Sequence, residues 1–499
     1  MTLTNRAPEQ RAVRFGRAAP LLALTLVLAV PADPLPAQGA RGNATTTVRY
    51  VSMRPIERDS VPRAAVQEVD GEFFFNGFPV QCIPGVPQCF FFRPADVIDG
   101  VVAMQDISGT AWGLGVQGLS ATYMIRARTN LGGDFVWPQS DNAFDAILAY
   151  AQYQRSIYRV RAGRQRIMSG LGFSGFDGLE LMVAPAPWVR AEAYGGRSLA
   201  RGLHEPRHEA LRGIEPFIFD QNAYLGGASV QFTPVTGTSV GLRYQREIWA
   251  NRIGLISERA SLDVRSDLPG PLRLDATVDY DGGFNRIGKS HLTLRSTLPD
   301  GWGWVELTGR RYLPYFEMST IWGFFSPTPY HEAEVRTTIR AVQPVTAWAS
   351  AGWRKYGDPE IAIIGPPITD ESTRLGVGAR WIDGDFSAFG EYRLELGFGA
   401  VLNSGDLEVR WQAMPGLALS ARGSAFQQIE QFRVGDNIVL GGGLAADVAL
   451  PGGLRLRSGA DVYRQRYENR PSQADWNQVR AYTILTVPYG RDPGARLRP

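Results

Sequence analysis

The sequence predicts an all-β chain, one large antiparallel transmembrane β-barrel of roughly 20–22 strands. Three observations predict it. The 499 residues open on an export-type leader. Stretches of about ten residues with alternating polarity recur from residue 100 to residue 490. The connections between those stretches are compact turns in some places and longer segments in others.

The leader comes first. Arg6, Arg11, Arg14 and Arg17 form a basic stretch, "LLALTLVLAV" (21–30) is apolar, and a cut after Ala37 makes residues 1–37 a cleaved signal peptide. The apolar run falls short of the ~20 residues a spanning helix needs; an uncleaved anchor helix is the competing reading. A formal net charge of +3, with no basic cluster, gives no footprint for nucleic acid. Gly 56, Phe 24, Tyr 18 and Trp 12 are generous, and no Pro/Ser-rich linker divides the chain, so one large body is expected.

Residues 38–99 form an N-terminal segment holding a first strand at 45–53, "TTTVRYVSM", and a disulfide hairpin at 72–93. Both cysteines lie in that hairpin. In an exported chain, Cys82 and Cys89 read as a structural disulfide. A metal site would need further ligands nearby, and a redox pair is usually spaced by two residues rather than six. Asn76-Gly77 supplies the positive φ angles of a two-residue turn, and "CFFFRP" returns as a third strand. If 45–53 is the first barrel strand, this knot sits in a long loop. If the barrel starts near residue 100, the knot is a periplasmic subdomain or partial plug.

The body of the barrel runs from 100 to 490. In "LRLDATVDYD", Leu272, Leu274, Ala276, Val278 and Tyr280 share one face while Arg273, Asp275, Thr277 and Asp279 share the other. "SATYMIRART", "FSAFGEYRLELGF" and "LRLRSGADVY" repeat the arrangement. A soluble sheet would turn the apolar face inward; a membrane barrel turns it to lipid and lines a wet lumen with the charges. The leader, the aromatic strand ends and the turn asymmetry favour the second. Compact turns fall at 267–271, 298–302, 341–345, 382–386, 414–418 and 450–454. Longer loops fall near 198–222, 314–329, 357–369 and 466–474. About 21 strands are expected from residue 100, and the strand at 45–53 makes the number even. Residues 491–499 are a C-terminal tail.

On this reading Arg126, Arg128, Arg159, Arg161, Arg273, Asp275, Asp279, Glu391, Arg393, Glu395, Arg455, Arg457 and Asp461 line the lumen. So many charges need water or dense pairing, so either a wet channel or a lumen zipped by ion pairs accounts for them. Their mixed signs argue against strong selectivity, and the arginine surplus points to a mild anion preference. His204 and His208, four apart in "RGLHEPRHEALRG", suit a polar loop helix or a divalent-metal pair, but the H-E-x-x-H order is absent. His291 faces the lumen and Ser290 the opposite side, so they form no dyad. His331 falls at the rim. "PYFEMSTIWGFFSPTPYHE" (314–332) reads as an aromatic girdle with a folded loop, or as a greasy constriction. No catalytic, metal or cofactor residue is assigned, since neither C-x-x-C-H nor a phosphate loop is present.

Taken together, leader and strand pattern resemble Gram-negative outer-membrane β-barrel proteins of the porin-like kind, over nearly all of residues 100–490. "RAGRQRI" (161–167) is similar to a strand-end wording of large porins. The resemblance implies outer-membrane lipids and the barrel-assembly machinery as partners. That machinery typically reads a terminal aromatic residue; Tyr489 ends "VRAYTILTVPYG", but "RDPGARLRP" follows it, a departure from the common form. The expected function is passive or weakly selective diffusion of small hydrophilic solutes, without enzymatic activity. A scaffold barrel housing a partner such as a cytochrome is the alternative, and a barrel hydrolase the third reading.

Overall fold

Side chains that alternate between two environments let a strand serve as wall between them, and here the wall closes. The computed structural model describes residues 39–54, 56–69, 72–133, 143–199, 223–250, 254–313, 329–357, 371–397, 401–428, 437–467 and 476–491. Twenty-two of its strands form one antiparallel sheet without a free edge. The first, Gly39–Met53, pairs on one side with the last, Trp476–Arg491, and on the other with the second, Ile98–Trp112. From Leu119–Gly133 onward each strand pairs with its chain neighbours. Antiparallel closure needs an even number, because first and last strands must run in opposite directions. Among the described residues no helix is long and apolar enough to cross a membrane; in lipid, closure of the sheet satisfies the backbone instead.

The faces are reversed relative to a soluble protein. Leu179 is 61% exposed, while the next residue, Glu180, is 1% exposed. Leu242, Leu292, Val377, Leu407 and Leu444 are likewise exposed, whereas Gln165, Gln245, Glu332 and Asp461 are buried. An apolar exterior around a polar interior is stable only with lipid outside.

The two ends of the wall differ. At one end Val235 and Thr238, Val342 and Val345, Asp383 and Phe386, and Met414 and Leu417 are joined by two residues each. Gly237 (φ 83°) and Gly416 (φ 87°) take left-handed conformations there that a side chain would strain. Aromatic pairs ring this end: Trp188 and Phe232 at 5.3 Å, Trp381 and Phe386 at 6.0 Å, and Phe386 and Trp411 at 6.3 Å between centroids. Such a girdle marks a membrane–water boundary. The long connections leave from the other end, after Ser198, Tyr312 and Tyr356.

The first of the connections at that end carries two small three-stranded sheets that pair with no strand of the wall. Gln67–Val69, Glu72–Phe75 and Phe78–Pro79 form one. Asn76 (φ 50°) and Gly77 (φ 80°) make its tight turn. Gln88–Pro94 lies between Ile56–Pro62 and Gln81–Cys82 in the other. The return strand lies beside Gln81–Cys82, in a different sheet from Phe78–Pro79. Pro79, which has no N–H, ends the hairpin's last strand, and the Cys82–Cys89 bond places Gln88–Pro94 beside Gln81–Cys82. Fully buried Cys89 packs with Val61, Phe78, Val80 and Phe91. At the surface Arg93 donates to Asp59 at 2.7 Å and holds its carboxyl below the usual range.

A core of five side chains is small, so the disulfide should matter to it. Its closed loop is about eight residues, for which chain entropy gives about 2–3 kcal/mol. In the C82S/C89S variant, protease should cut within 54–97 at rates raised about 50-fold, with the barrel left intact. Unchanged cleavage on a gel time course would mean the apolar core suffices.

Candidate functional site: the lumen wall

Strand spacing and tilt give a round barrel of this strand number a backbone diameter of about 40 Å. Inward charges therefore cannot meet across the middle and must find partners along the wall. They do. Arg126 Nε donates to Asp106 Oδ1 at 2.7 Å, and Arg128 pairs with Asp145 at 3.1 Å. Arg159 and Arg161 converge on Glu180 at 2.6 and 3.2 Å. Arg265 and Arg273 hold Asp275 at 2.6 and 3.2 Å. Arg393 pairs with Glu391 in its own strand. Arg457 lies 3.7 Å from Asp447, and Asp461 accepts from Arg422 Nε at 2.7 Å. Asp279 is buried on the inner face. Arg455 shares the inward face of Arg457 and Asp461.

The densest cluster includes residues the sequence reading did not single out. Glu332, on Tyr330–Val342, accepts from Arg310 at 2.8 Å, from Arg354 at 2.5 Å and from Arg374 at 2.8 Å. Glu395 lies beside it, 3.3 Å from Arg374 and 3.0 Å from the Tyr356 hydroxyl that donates to it. Glu332 follows His331 in the sequence and so takes the opposite face; the same parity turns Arg354 inward and Lys355 outward. That parity was the available signal.

One stretch of the wall bends into a corner. A side chain on Gly170, in the turn after Tyr158–Ser169, would come within 3.2 Å of Asp263, on the fifth strand farther round. Ile167, Phe176 and Leu225 are buried in this corner against Tyr194, and the Tyr194 hydroxyl donates to Gln245 at 3.1 Å. Part of the lumen is thus filled with packed side chains, and the charged lining faces the rest.

Beside the seam between first and last strands lies an inward pocket of about 350 Å³. Arg49, Arg128, Arg422, Arg457 and Arg480 line it with Asp461. Cationic groups outnumber the acid there, and the Arg480 guanidinium stands 5.3 Å from the Tyr463 ring.

No family model matches the chain, and no curated protein matches it. Solved structures do. A BenF-like porin from Pseudomonas fluorescens Pf-5 shares 9% identity at a TM-score of 0.40, over 91% of this chain and 99% of its own. Acinetobacter baumannii OccAB2 shares 8% at a TM-score of 0.42, over 92% and 100%. Pseudomonas aeruginosa OccK2 (OpdF), solved in complex with glucuronate, shares 9% at 0.38, over 90% and 98%. These values are too low to transfer residues or solutes. The deciding observation is the closed wall with apolar exterior and charged interior. The chain is a closed, twenty-two-stranded membrane β-barrel.

In this barrel His291 faces the lumen, with Nε2 2.8 Å from the Thr293 hydroxyl, and Ser290 points outward beside Arg311. His331 lies on the outer face at the rim. His204, His208, most of residues 314–332 and the leader 1–37 lie outside the described residues. Among those described, no cluster of His, Cys, Asp and Glu could hold a metal ion.

Proposed function

We propose that the barrel is a passive, weakly selective channel for small hydrophilic solutes, with a preference for anions. The arginine-lined pocket beside the seam supports this reading most directly. Arg49, Arg422, Arg457 and Arg480 face the lumen around a single carboxylate, Asp461, so a passing carboxylate or phosphate gains charge-assisted hydrogen bonds there. Elsewhere many of the inward arginines are matched by carboxylates, which leaves a field too weak to exclude cations.

Planar-bilayer recordings of the refolded barrel test it. Discrete conductance steps are expected, with a reversal potential in a salt gradient displaced toward the anion. In the R457E/R480E variant the displacement should shrink or change sign while the step size stays similar. Silence from a correctly folded, heat-modifiable barrel would sink the channel reading. A reversal potential unmoved by that variant would remove the pocket from it.

A further inference from the structure

Three neighbouring strands of the wall, Gly303–Tyr312, Tyr330–Val342 and Val345–Tyr356, carry aromatic rings on their inner face at both ends. Glu332 fixes the parity: Tyr330, Thr338 and the residues opposite them turn inward with it. At the end that bears the long connections, Tyr312, Tyr330 and Tyr356 stand side by side, with successive ring centroids 5.1 and 6.0 Å apart. Toward the other end, about 27 Å along the strand, Trp304 and Trp348 flank Thr338. An interfacial girdle turns its rings to lipid; these rings face the lumen.

The two tryptophans lie along the wall. Gly378 stands opposite Trp348, and a Cβ there would collide with the indole. Thr338 is only 4% exposed although it faces the lumen, as expected if the indoles on either side close over it. Phe389 extends the surface by stacking on Trp348 at 5.7 Å. Arg295 and Arg340 lie 4.2 and 4.6 Å from the centre of the Trp304 ring.

Between the two groups of rings the wall is polar and self-paired, with Arg310, Arg354 and Arg374 all on Glu332. A passing anion gains little from cations already matched. A hydroxyl group both donates and accepts, so it can bind beside a guanidinium and a carboxylate that already hold each other. The rings add a second requirement. Small inorganic anions gain nothing from the negative face of an aromatic ring, whereas a sugar ring presents C–H groups on its faces and hydroxyls around its edge.

We infer that this sector of the wall is a track for uncharged oligosaccharides, separate from the arginine pocket at the seam. Sugar rings stack on Tyr312 at one end and on the Trp304–Trp348 surface at the other, while hydroxyls bind the paired charges between. The track goes beyond anion passage and requires only that the lumen admit solutes.

Titration calorimetry of the full-length refolded barrel with maltohexaose, and with polyethylene glycol of the same mass, reads binding whether or not the barrel conducts. Maltohexaose should bind about 30-fold more tightly than the polymer, which has oxygens but no ring face. In the W304A/W348A variant that affinity should fall about tenfold, and in Y312A, which truncates a ring 37% exposed, about fivefold. Equal affinity for sugar and polymer would overturn the proposal, as would affinity unchanged in both variants. Displacement of the sugar by millimolar inorganic phosphate would also overturn it, by showing an anion site. A barrel that binds maltohexaose yet stays silent in a planar bilayer would count against the anion channel and leave the track standing.

Discussion

Glu332→Gln should destabilise the barrel by about 3 kcal/mol, the lower end of the cost of breaking a buried ion pair. Glutamine keeps the shape and one acceptor oxygen, so cavity formation is not the cause. What disappears is the charge on which Arg310, Arg354 and Arg374 converge. Glu395 would remain as the one carboxylate in contact with Arg354 and Arg374, and Arg310 would face two cations without it. The lower end applies because Arg310 is 38% exposed and water can partly screen it. Urea unfolding in lipid vesicles should show a lower midpoint with an unchanged slope. The same variant should also displace the reversal potential further toward anions. An unchanged midpoint would mean that the cluster is solvated well enough to do without its hub.

Gly42→Val should have an equal or larger effect for a steric reason. Gly42 lies on the outer face of the first strand, directly opposite Tyr489 and Gly109. The Tyr489 ring lies over both glycines; its hydroxyl donates to the Ser108 carbonyl at 2.8 Å and is 2.6 Å from the Tyr123 hydroxyl. A Cβ at position 42 would collide with the Ser108 carbonyl oxygen and the Tyr489 hydroxyl. Overpacking alone costs about 1–3 kcal/mol, and a backbone oxygen yields less than a side chain. Relief by a one-residue slip would turn every side chain of the strand to the wrong face. The closed form should fall to a minor fraction on cold electrophoresis. Gly309 is also outward, with nothing within 4 Å of an added Cβ, so Gly309→Val should be neutral. Equal behaviour of the two variants would refute the seam contact.

Much of this fold was legible because a strand repeats every two residues and the repeat is visible without knowing any partner. "LRLDATVDYD" separates into Leu272, Leu274 and Ala276 against Arg273, Asp275 and Thr277 by parity alone, and the wall places Arg273 and Asp275 on one side of the pair Leu272–Asp281 and Arg286–Thr297. The strand before residue 54 was legible through closure, since an odd number cannot close antiparallel. Ion-pair partners were not legible. That Glu332 meets Arg374 depends on the register of two successive pairings, 42 residues apart in the chain, and alternation leaves register open. The corner at Gly170 depends on how the wall curves over several strands, which no single strand encodes. That Gln88–Pro94 lies beside Gln81–Cys82 and not in the sheet of Phe78–Pro79 has a local cause: Pro79 offers no N–H there, and the disulfide sets Cys89 opposite Cys82.

The seam also sets an order of events. Thr110 and Thr122, which meet across an ordinary pair of neighbouring strands, are 12 residues apart, whereas Thr45 and Thr486, which meet across the seam, are 441 apart. Loop entropy grows slowly with length, yet this ratio adds about 3 kcal/mol to bringing the second pair together. Hairpin-by-hairpin growth can therefore complete the wall while its first and last strands are still apart. Until they meet, Gly39–Met53 and Trp476–Arg491 each present a row of unpaired amides and carbonyls, the kind of edge that recruits other strands. The two edges hidden in the finished barrel are those an assembling chain must shield for longest.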